Sequence, residues 1–115
     1  MASPAAGGVV LVPFPFSDLS RAKLRPAIVL AAAGRDDFIL CQVTSNPYAD
    51  PLAMELTGAS FSSGSLQRTS YARPGKLFTA HGSLIRSQVG QLQSEVFHAL
   101  VDRLVALLRS EAKSV

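Results

Sequence analysis

Residues 24–44 decide the fold, and they read LRPAIVLAAAGRDDFILCQVT. Two apolar runs, residues 27–30 and 38–44, stand on either side of Gly34 and a charged segment. Short runs rich in β-branched residues and separated by turn-forming residues are typical of a hairpin. This stretch therefore predicts two central strands of an antiparallel sheet.

Weaker strand candidates surround this hairpin. Residues 8–13 form a β-branched run that we expect to end at Pro13, because proline cannot donate to a ladder. Residues 52–56, 66–73 and 76–79 are further candidates, with a turn at Pro74-Gly75 between the last two. Alternation within 66–73 predicts that Arg68 and Ser70 share one face and that Arg73 points to the other. The serine-rich segment 58–64 is predicted to be a loop.

The hydrophobic period changes from Ser94 onward. Seven apolar residues recur at helical spacing, which predicts a terminal amphipathic helix with Ser94 as its N-cap; they are Val96, Phe97, Leu100, Val101, Leu104, Leu107 and Leu108. Five or six short strands followed by one helix predict a β-rich α+β class, a small antiparallel barrel with the helix packed at its end.

Composition bounds the domain count and the compartment. A chain of 115 residues, 48% of them hydrophobic, predicts a single domain, 1–115, with a core over about 7–110 and flexible ends at 1–6 and 111–115. Its single cysteine, Cys41, lies in an apolar run and is expected in the core. No apolar stretch is long enough for a membrane span and no signal peptide is recognisable, so we expect a cytoplasmic protein.

Several chemistries find no support in the sequence. The two histidines, His81 and His98, have no cysteine or carboxylate at ligand spacing, so no metal site is predicted. No nucleophile-elbow motif and no phosphate-cradling glycine pattern are present, and no cofactor is predicted. The net charge of +3 favours a polyanionic partner without deciding for one. A base-stacking platform would have to come from Phe14, Phe16, Tyr48, Phe61 or Tyr71.

Polar residues at predicted strand ends are the remaining candidates. Arg25 is held extended by Pro26 immediately before a strand, at the mouth of a loop over 14–24, about eleven residues, which we expect to be a mobile binding loop carrying Arg21 and Lys23. Thr44, Ser45 and Asn46 end another strand and suit phosphate or base contacts, although ordinary turn chemistry explains them equally well. A third polar group, Arg68, Ser70 and Arg73, also fits a solvated strand face.

The order of these segments resembles the MazF/PemK toxins. The strand and loop GVVLVPFPF, then LRPAIVL, then FILCQVTS, then SYARPGKLFT and a terminal helix together carry the resemblance over about residues 7–108. The resemblance implies a dimeric SH3-like barrel, similar in architecture also to CcdB, that cleaves RNA as the toxin of a toxin-antitoxin pair. It assigns Arg25 as the catalytic arginine and Thr44 as the active-site threonine. Ser70 and Ser20 stand where some relatives have acids, so the general base is open between water and His81.

The implied reaction is a metal-independent, sequence-specific cleavage of single-stranded RNA by its own 2′-hydroxyl. It leaves a 2′,3′-cyclic phosphate and a 5′-hydroxyl. The RNA-binding residues expected with it are Arg21, Lys23, Ser45, Asn46, Arg68, Ser70 and Arg73. The expected partners are mRNA, a cognate antitoxin with an acidic tail, and a second copy of the chain. Two alternatives stay open: a CcdB-like DNA gyrase inhibitor and a catalytically silent RNA-binding barrel.

Overall fold

A computed structural model describes residues 4–14 and 23–110. Within these residues one long antiparallel sheet is followed by one helix, with two short 3-10 turns at Gly58–Ser60 and Gly82–Leu84. The strands and the helix are β1 (Gly8–Phe14), β2 (Lys23–Gly34), β3 (Asp37–Thr44), β4 (Met54–Leu56), β5 (Phe61–Gly64), β6 (Ser70–His81), β7 (Ser87–Leu92) and α1 (Ser94–Arg109).

The strands form one sheet in the order β4-β6-β3-β2-β1-β7-β5, curled into a half-barrel. Each neighbouring pair is antiparallel. The predicted hairpin of 24–44 is the β2–β3 pair and lies at the centre of the order, with Gly34 opposite Asp37 at its turn. The predicted class, a β-rich α+β barrel with a C-terminal helix, is confirmed.

Apolar side chains are buried on both faces of the central strands. Alternate residues of a strand point to opposite faces, so the apolar run 9–12 serves two clusters, with Val9 in one and Val10 and Val12 in the other. The main cluster lies on the side of α1; its buried members are Val9, Ile28, Cys41, Val43, Leu56, Phe61, Ala72, Leu92 and Leu100. The second cluster lies on the other face and comprises Val10, Val12, Ala27, Val29, Phe38, Leu40 and Ala80. We call this second face the site face.

Helix α1 packs on the main cluster through Leu100, which is 1% exposed. The predicted apolar stripe is confirmed except at its last member, since Leu108 is 70% exposed. The predicted N-cap was wrong by one residue: Ser94 is already helical and Gln93 holds the cap position without a side-chain hydrogen bond.

Two strand boundaries differ from the sequence prediction because β1 pairs with β2 beyond the expected ends of both strands. Strand β1 continues past Pro13 to Phe14, and β2 begins at Lys23 rather than after Arg25. Proline is tolerated here because β7 pairs with β1 only up to Leu11, so that side of β1 is an edge from Val12 onward. The predicted loop 14–24 is therefore strand at residues 14, 23 and 24, and its remaining residues, 15–22, lie outside the described residues.

The segment 58–64 was wrongly predicted to be loop, because it forms a 3-10 turn and strand β5. Its small residues allow the strand to approach β7 closely. Gly64 has φ of +64°, and a Cβ there would collide with the carbonyl oxygen of Val89. Gly90 of β7 is crowded in the same way, since a Cβ there would lie 2.8 Å from Cδ2 of the Phe61 ring on β5.

The predicted turn at Pro74-Gly75 does not exist, because β6 runs through it. Cys41 pairs with Leu77 and Gln42 with Arg73, so residues 74–76 are an insertion within one continuous strand. The buried Cys41 thiol donates a hydrogen bond to the Arg73 carbonyl oxygen at 3.3 Å, beside that insertion. Burial raises the pKa of this thiol to about 12, so it stays protonated as the core residue that was predicted. The strand also begins later than expected, at Ser70 instead of residue 66.

The packing of α1 yields a stability prediction. Leu100→Ala removes a fully buried side chain and lowers the free energy of unfolding by about 2–5 kcal/mol, measured by urea denaturation. Leu108→Ala is the matched control on the same helix and changes it by less than about 0.5 kcal/mol. Equal losses in the two variants would contradict the placement of the helix.

Candidate functional site

The register of the central strands brings the positions of Arg25 and Thr44 together. Arg25 pairs with Val12 of β1, so it belongs to the site face with Val12. The β2–β3 ladder pairs Ala27 with Gln42. Arg25 precedes Ala27 by two residues and Thr44 follows Gln42 by two. Because the strands are antiparallel, Arg25 and Thr44 stand at adjoining positions on this same face. The guanidinium and the hydroxyl predicted from sequence thus share one surface of the sheet.

Arg73 occupies the next strand on the same face and is held by three neighbours. Its Nε donates to Asp50 Oδ2 at 3.0 Å, and its Nη1 donates to Gln42 Oε1 at 3.5 Å. Its guanidinium carbon lies 5.4 Å from the centroid of the Tyr48 ring. Arg73 is therefore a clamped cation whose charge Asp50 partly neutralises.

The segment after β3 is fixed by hydrogen bonds between near neighbours. The backbone N–H of Asn46 donates to Thr44 Oγ1 at 3.2 Å, and that of Tyr48 donates to Asn46 Oδ1 at 2.9 Å. Because the Thr44 oxygen accepts from Asn46, its own hydrogen can be directed to an acceptor such as a phosphate oxygen. Tyr48 and Ala49 have φ of 53° and 57°, in the left-handed region that non-glycine residues seldom occupy.

The carboxylate of Asp50 is stabilised in its charged form. The N–H of Leu52 donates to Asp50 Oδ1 at 2.9 Å and, together with the Arg73 side chain, holds the pKa of Asp50 below its usual value. Asp50 therefore remains charged through the neutral range and keeps Arg73 in place.

A cavity of about 410 Å³ opens on the site face beside these groups. Its lining is largely apolar, with Val12, Phe78 and Leu84 contributing, while Gln42 and Lys76 supply polar groups. Gln42 links the cavity to Arg73, so the cavity and the polar cluster are continuous. The volume suits an apolar or aromatic group of modest size.

The other residues predicted to bind RNA are distributed unevenly. Lys23, two residues before Arg25 on β2, belongs to the site face and is exposed, and Ser45 and Asn46 are exposed directly after Thr44. Arg21, like Ser20, lies outside the described residues. Arg68 is exposed but precedes β6 instead of standing on it.

Ser70 does not join the site. It pairs with Leu56 on the side of the main cluster, is 5% exposed, and donates its hydroxyl to the Arg68 carbonyl oxygen at 3.1 Å. The predicted alternation is nonetheless correct for Arg73, which faces the other way from Ser70. The shared face predicted for Arg68 and Ser70 was wrong, because Arg68 lies before the strand begins.

His81 is also remote from Arg25 and Thr44. It is the last residue of β6 and pairs with Asp37, seven residues along β3 from Thr44, a distance of roughly 20 Å along an extended strand. Its Nδ1 accepts from the N–H of Ser83 at 3.1 Å. This placement argues against His81 as a base for chemistry at Arg25.

Two residues of the cluster, Gln42 and Asp50, have no signal in the sequence. Asp50 is 23 residues from Arg73, and Gln42 lies within an apolar run. Only the pairing of β3 with β6 reveals that they meet.

The described residues contain no group of three or more histidine, cysteine or acidic side chains placed to hold a metal ion. Of the helices in the same part of the chain, none combines the length and the apolar content that crossing a bilayer requires.

Comparison with known proteins now identifies the class. The chain belongs to the family of PemK-like, MazF-like toxins of type II toxin-antitoxin systems, whose model matches residues 5–108. A search of curated proteins finds no match. The sequence resemblance to MazF/PemK toxins is thereby confirmed.

Solved structures share the fold over more than nine tenths of the chain. A MazE-MazF complex from Deinococcus radiodurans matches with a TM-score of 0.74 at 21% identity, covering 96% of this chain and all of the other. An endoribonuclease in complex with its cognate antitoxin from a mycobacterial species matches with a TM-score of 0.71 at 13% identity, covering 98% and 100%. The Mycobacterium tuberculosis toxin MazF-mt6 matches with a TM-score of 0.70 at 12% identity, covering 91% and 99%. These TM-scores establish a shared architecture. Because the identities are low, the roles of individual residues have to be argued from this chain.

The Asp50–Arg73 pair predicts a pH-dependent contribution to stability. A carboxylate whose pKa is lowered on folding stabilises the fold above its unfolded pKa, and this contribution disappears as the pH falls through the folded pKa. Asp50→Asn should therefore unfold at a lower temperature than the wild type at pH 7. The difference shrinks below about pH 4.

Thermal unfolding between pH 7 and pH 2.5 measures this difference, with Asp102→Asn on the exposed side of α1 as the control. A constant difference between Asp50→Asn and the wild type over the whole range would refute the assignment of the shift to Asp50.

Proposed function

We propose that this toxin is a metal-independent, sequence-specific endoribonuclease that cleaves single-stranded RNA. The 2′-hydroxyl of the substrate attacks the adjacent phosphate, forming the bond of a 2′,3′-cyclic phosphate and breaking the bond to the 5′-oxygen, which leaves as a hydroxyl. The observation that carries the proposal is the β2–β3 register, which sets Arg25 beside Thr44 on one face. A guanidinium and a hydroxyl so placed can bind two oxygens of one phosphodiester.

Each group has a distinct role in this proposal. Arg25 donates to a phosphate oxygen and stabilises the charge that grows on it during attack, which a planar fork of donors does well. Thr44 donates its hydroxyl hydrogen to a second phosphate oxygen, while Asn46 fixes the position of its oxygen. Lys23, Ser45 and Asn46 contact neighbouring parts of the RNA substrate.

Proton transfer is assigned to water. An arginine keeps its proton at any working pH and is a poor base. Of the two serines that stand where some relatives have acids, Ser70 is buried on the far face and Ser20 lies outside the described residues. The substrate hydroxyl therefore releases its proton to solvent, and the leaving 5′-oxygen takes one from solvent.

The antitoxin enters the proposal through the similar structures and the net charge. Similar solved structures include complexes with MazE and with a cognate antitoxin. The net charge of +3 suits an acidic antitoxin segment that covers the site face and competes with RNA. We extend the proposal to a single-domain chain with its core over about 7–110, acting in the cytoplasm as a homodimer.

The role of Arg25 is tested by incubating the purified protein with a long RNA in EDTA and mapping the cut ends. We expect discrete cuts with wild type, and Arg25→Ala slower by about a hundredfold or more, the usual cost of losing a fixed donor to a developing oxyanion. Arg109→Ala, at the exposed end of α1, is the matched control and cuts at the wild-type rate.

Wild-type cleavage by a folded Arg25→Ala variant would remove Arg25 from the mechanism. RNA left intact by the wild type, together with inhibition of DNA gyrase, would replace the ribonuclease proposal with that of a CcdB-like inhibitor. Binding of RNA without cutting would indicate a silent RNA-binding barrel.

The nucleophile is tested with a substrate carrying deoxyribose at the mapped scissile position. We expect it to stay intact while binding as the ribose form does within a few fold, because only the attacking hydroxyl is missing. Mass spectrometry of the normal products should give a 2′,3′-cyclic phosphate. Cleavage of the deoxy substrate would show that water or a protein group is the nucleophile.

A further inference from the structure

Tyr48 is an exposed aromatic side chain beside the proposed site. It is 64% exposed, although it follows Thr44 by only four residues. Among the aromatic residues that could form a stacking platform, Phe61 is buried and Tyr71 is half-buried. Phe16 and the side chain of Phe14 lie outside the described part of the chain. In that part, Tyr48 alone of this group offers a largely open ring.

The ring of Tyr48 is in contact with a cation that is itself anchored. Arg73 lies against it, with the guanidinium carbon 5.4 Å from the ring centroid, and Asp50 anchors Arg73 through the 3.0 Å ion pair. A cation over one face of an aromatic ring is attracted by the negative charge of that face. One side of the ring is thereby occupied and positioned, and the remaining surface is open to a ligand.

The backbone beneath the ring is strained. Tyr48 and Ala49 both have positive φ, 53° and 57°, a conformation that bulky L-residues disfavour. Glycine or asparagine would occupy these positions at lower cost, and the exposed ring gains little burial in return. Local strain of this kind persists where the surrounding structure enforces it, and it concentrates at ligand-binding segments.

Hydrogen bonds connect the backbone of Tyr48 to the proposed phosphate site. Asn46 donates to the Thr44 oxygen at 3.2 Å and accepts from the Tyr48 N–H at 2.9 Å. The backbone that carries the ring is thus fixed relative to Thr44 through a single residue, Asn46. A nucleotide whose phosphate contacts Thr44 has its base, or that of its neighbour, within reach of the ring.

We propose that Tyr48 is a base-stacking residue, with a nucleobase next to the scissile phosphodiester lying on the open face of its ring and Arg73 behind it. The inference rests on the proposed ribonuclease function and adds a binding contact to it. Stacking accepts any base, so Tyr48 contributes affinity and positioning and leaves sequence choice to other contacts.

Fluorescence tests the contact directly, because the chain has no tryptophan. Tyr48→Trp introduces a single indole reporter at the site, and Leu108→Trp introduces one at the exposed end of α1 as the control. The probe is an oligoribonucleotide spanning a mapped cleavage site, with deoxyribose at the scissile position. We expect saturable quenching of the indole emission in the Tyr48→Trp variant and no change in the Leu108→Trp variant.

Binding and kinetics give a second readout. Tyr48→Ala is expected to weaken binding of the same probe by about tenfold or more, by fluorescence anisotropy of a labelled strand, and to raise KM with kcat within a few fold. Tyr48→Phe keeps the ring and should retain binding within about twofold. Thermal unfolding of each variant reports whether the fold is intact.

The outcomes separate this inference from the ribonuclease proposal. If the wild type cuts RNA while a folded Tyr48→Ala variant binds and cuts as the wild type does, stacking is overturned and the ribonuclease proposal stands. Unquenched emission from the Tyr48→Trp variant with the probe bound overturns stacking as well. If the wild type neither binds nor cuts RNA, both proposals fail.

Discussion

The ladder between β2 and β3 is the constraint on which the site depends. Pairing of Ala27 with Gln42 fixes which side chains of both strands share a face. Since side chains alternate along a strand, a slip of one residue in either strand would send Arg25 and Thr44 to opposite faces. A slip in β2 would also move Val29, and a slip in β3 would move Leu40, out of the cluster in which each is now at most 1% exposed. Burial of the apolar residues therefore enforces the alignment of the polar ones.

Strand β6 adds Arg73 to the site through its pairing with β3. Gln42 faces Arg73, and the insertion at 74–76 is accommodated next to that pair, where the Cys41 thiol donates to the Arg73 carbonyl oxygen. The backbone of Arg73 is thus fixed from the core side, while Asp50 and Gln42 fix its side chain from the other. A cation held in this way loses little conformational freedom on binding a ligand.

The sequence predicts the central hairpin, the terminal helix and the fold class because they rest on strong apolar periodicity. It misses β5, since serine and glycine in 61–64 signal a loop, although their small size is what admits the strand against β7. It predicts Arg25 and Thr44 through a resemblance, and the register then explains why they adjoin. Asp50 and Gln42 could not be foreseen, because their partner Arg73 is distant in sequence and is reached only through the pairing of β3 with β6. Ser70 was misjudged, because only its pairing with Leu56 shows that it faces the main cluster.

Both outer strands of the described sheet are short. β5 spans Phe61–Gly64 and offers unpaired backbone groups over only four residues. β4 spans Met54–Leu56 and pairs with residues 70–72 alone, so β6 is itself the rim from Arg73 onward. Long, flat rims are the usual templates on which further chains add and polymerise, and short ones protect against it. Pro74 and the insertion at 74–76 interrupt the rim formed by β6, and β5 is short, so the described sheet resists edge-to-edge growth. The site face is then the broad surface left open to other molecules.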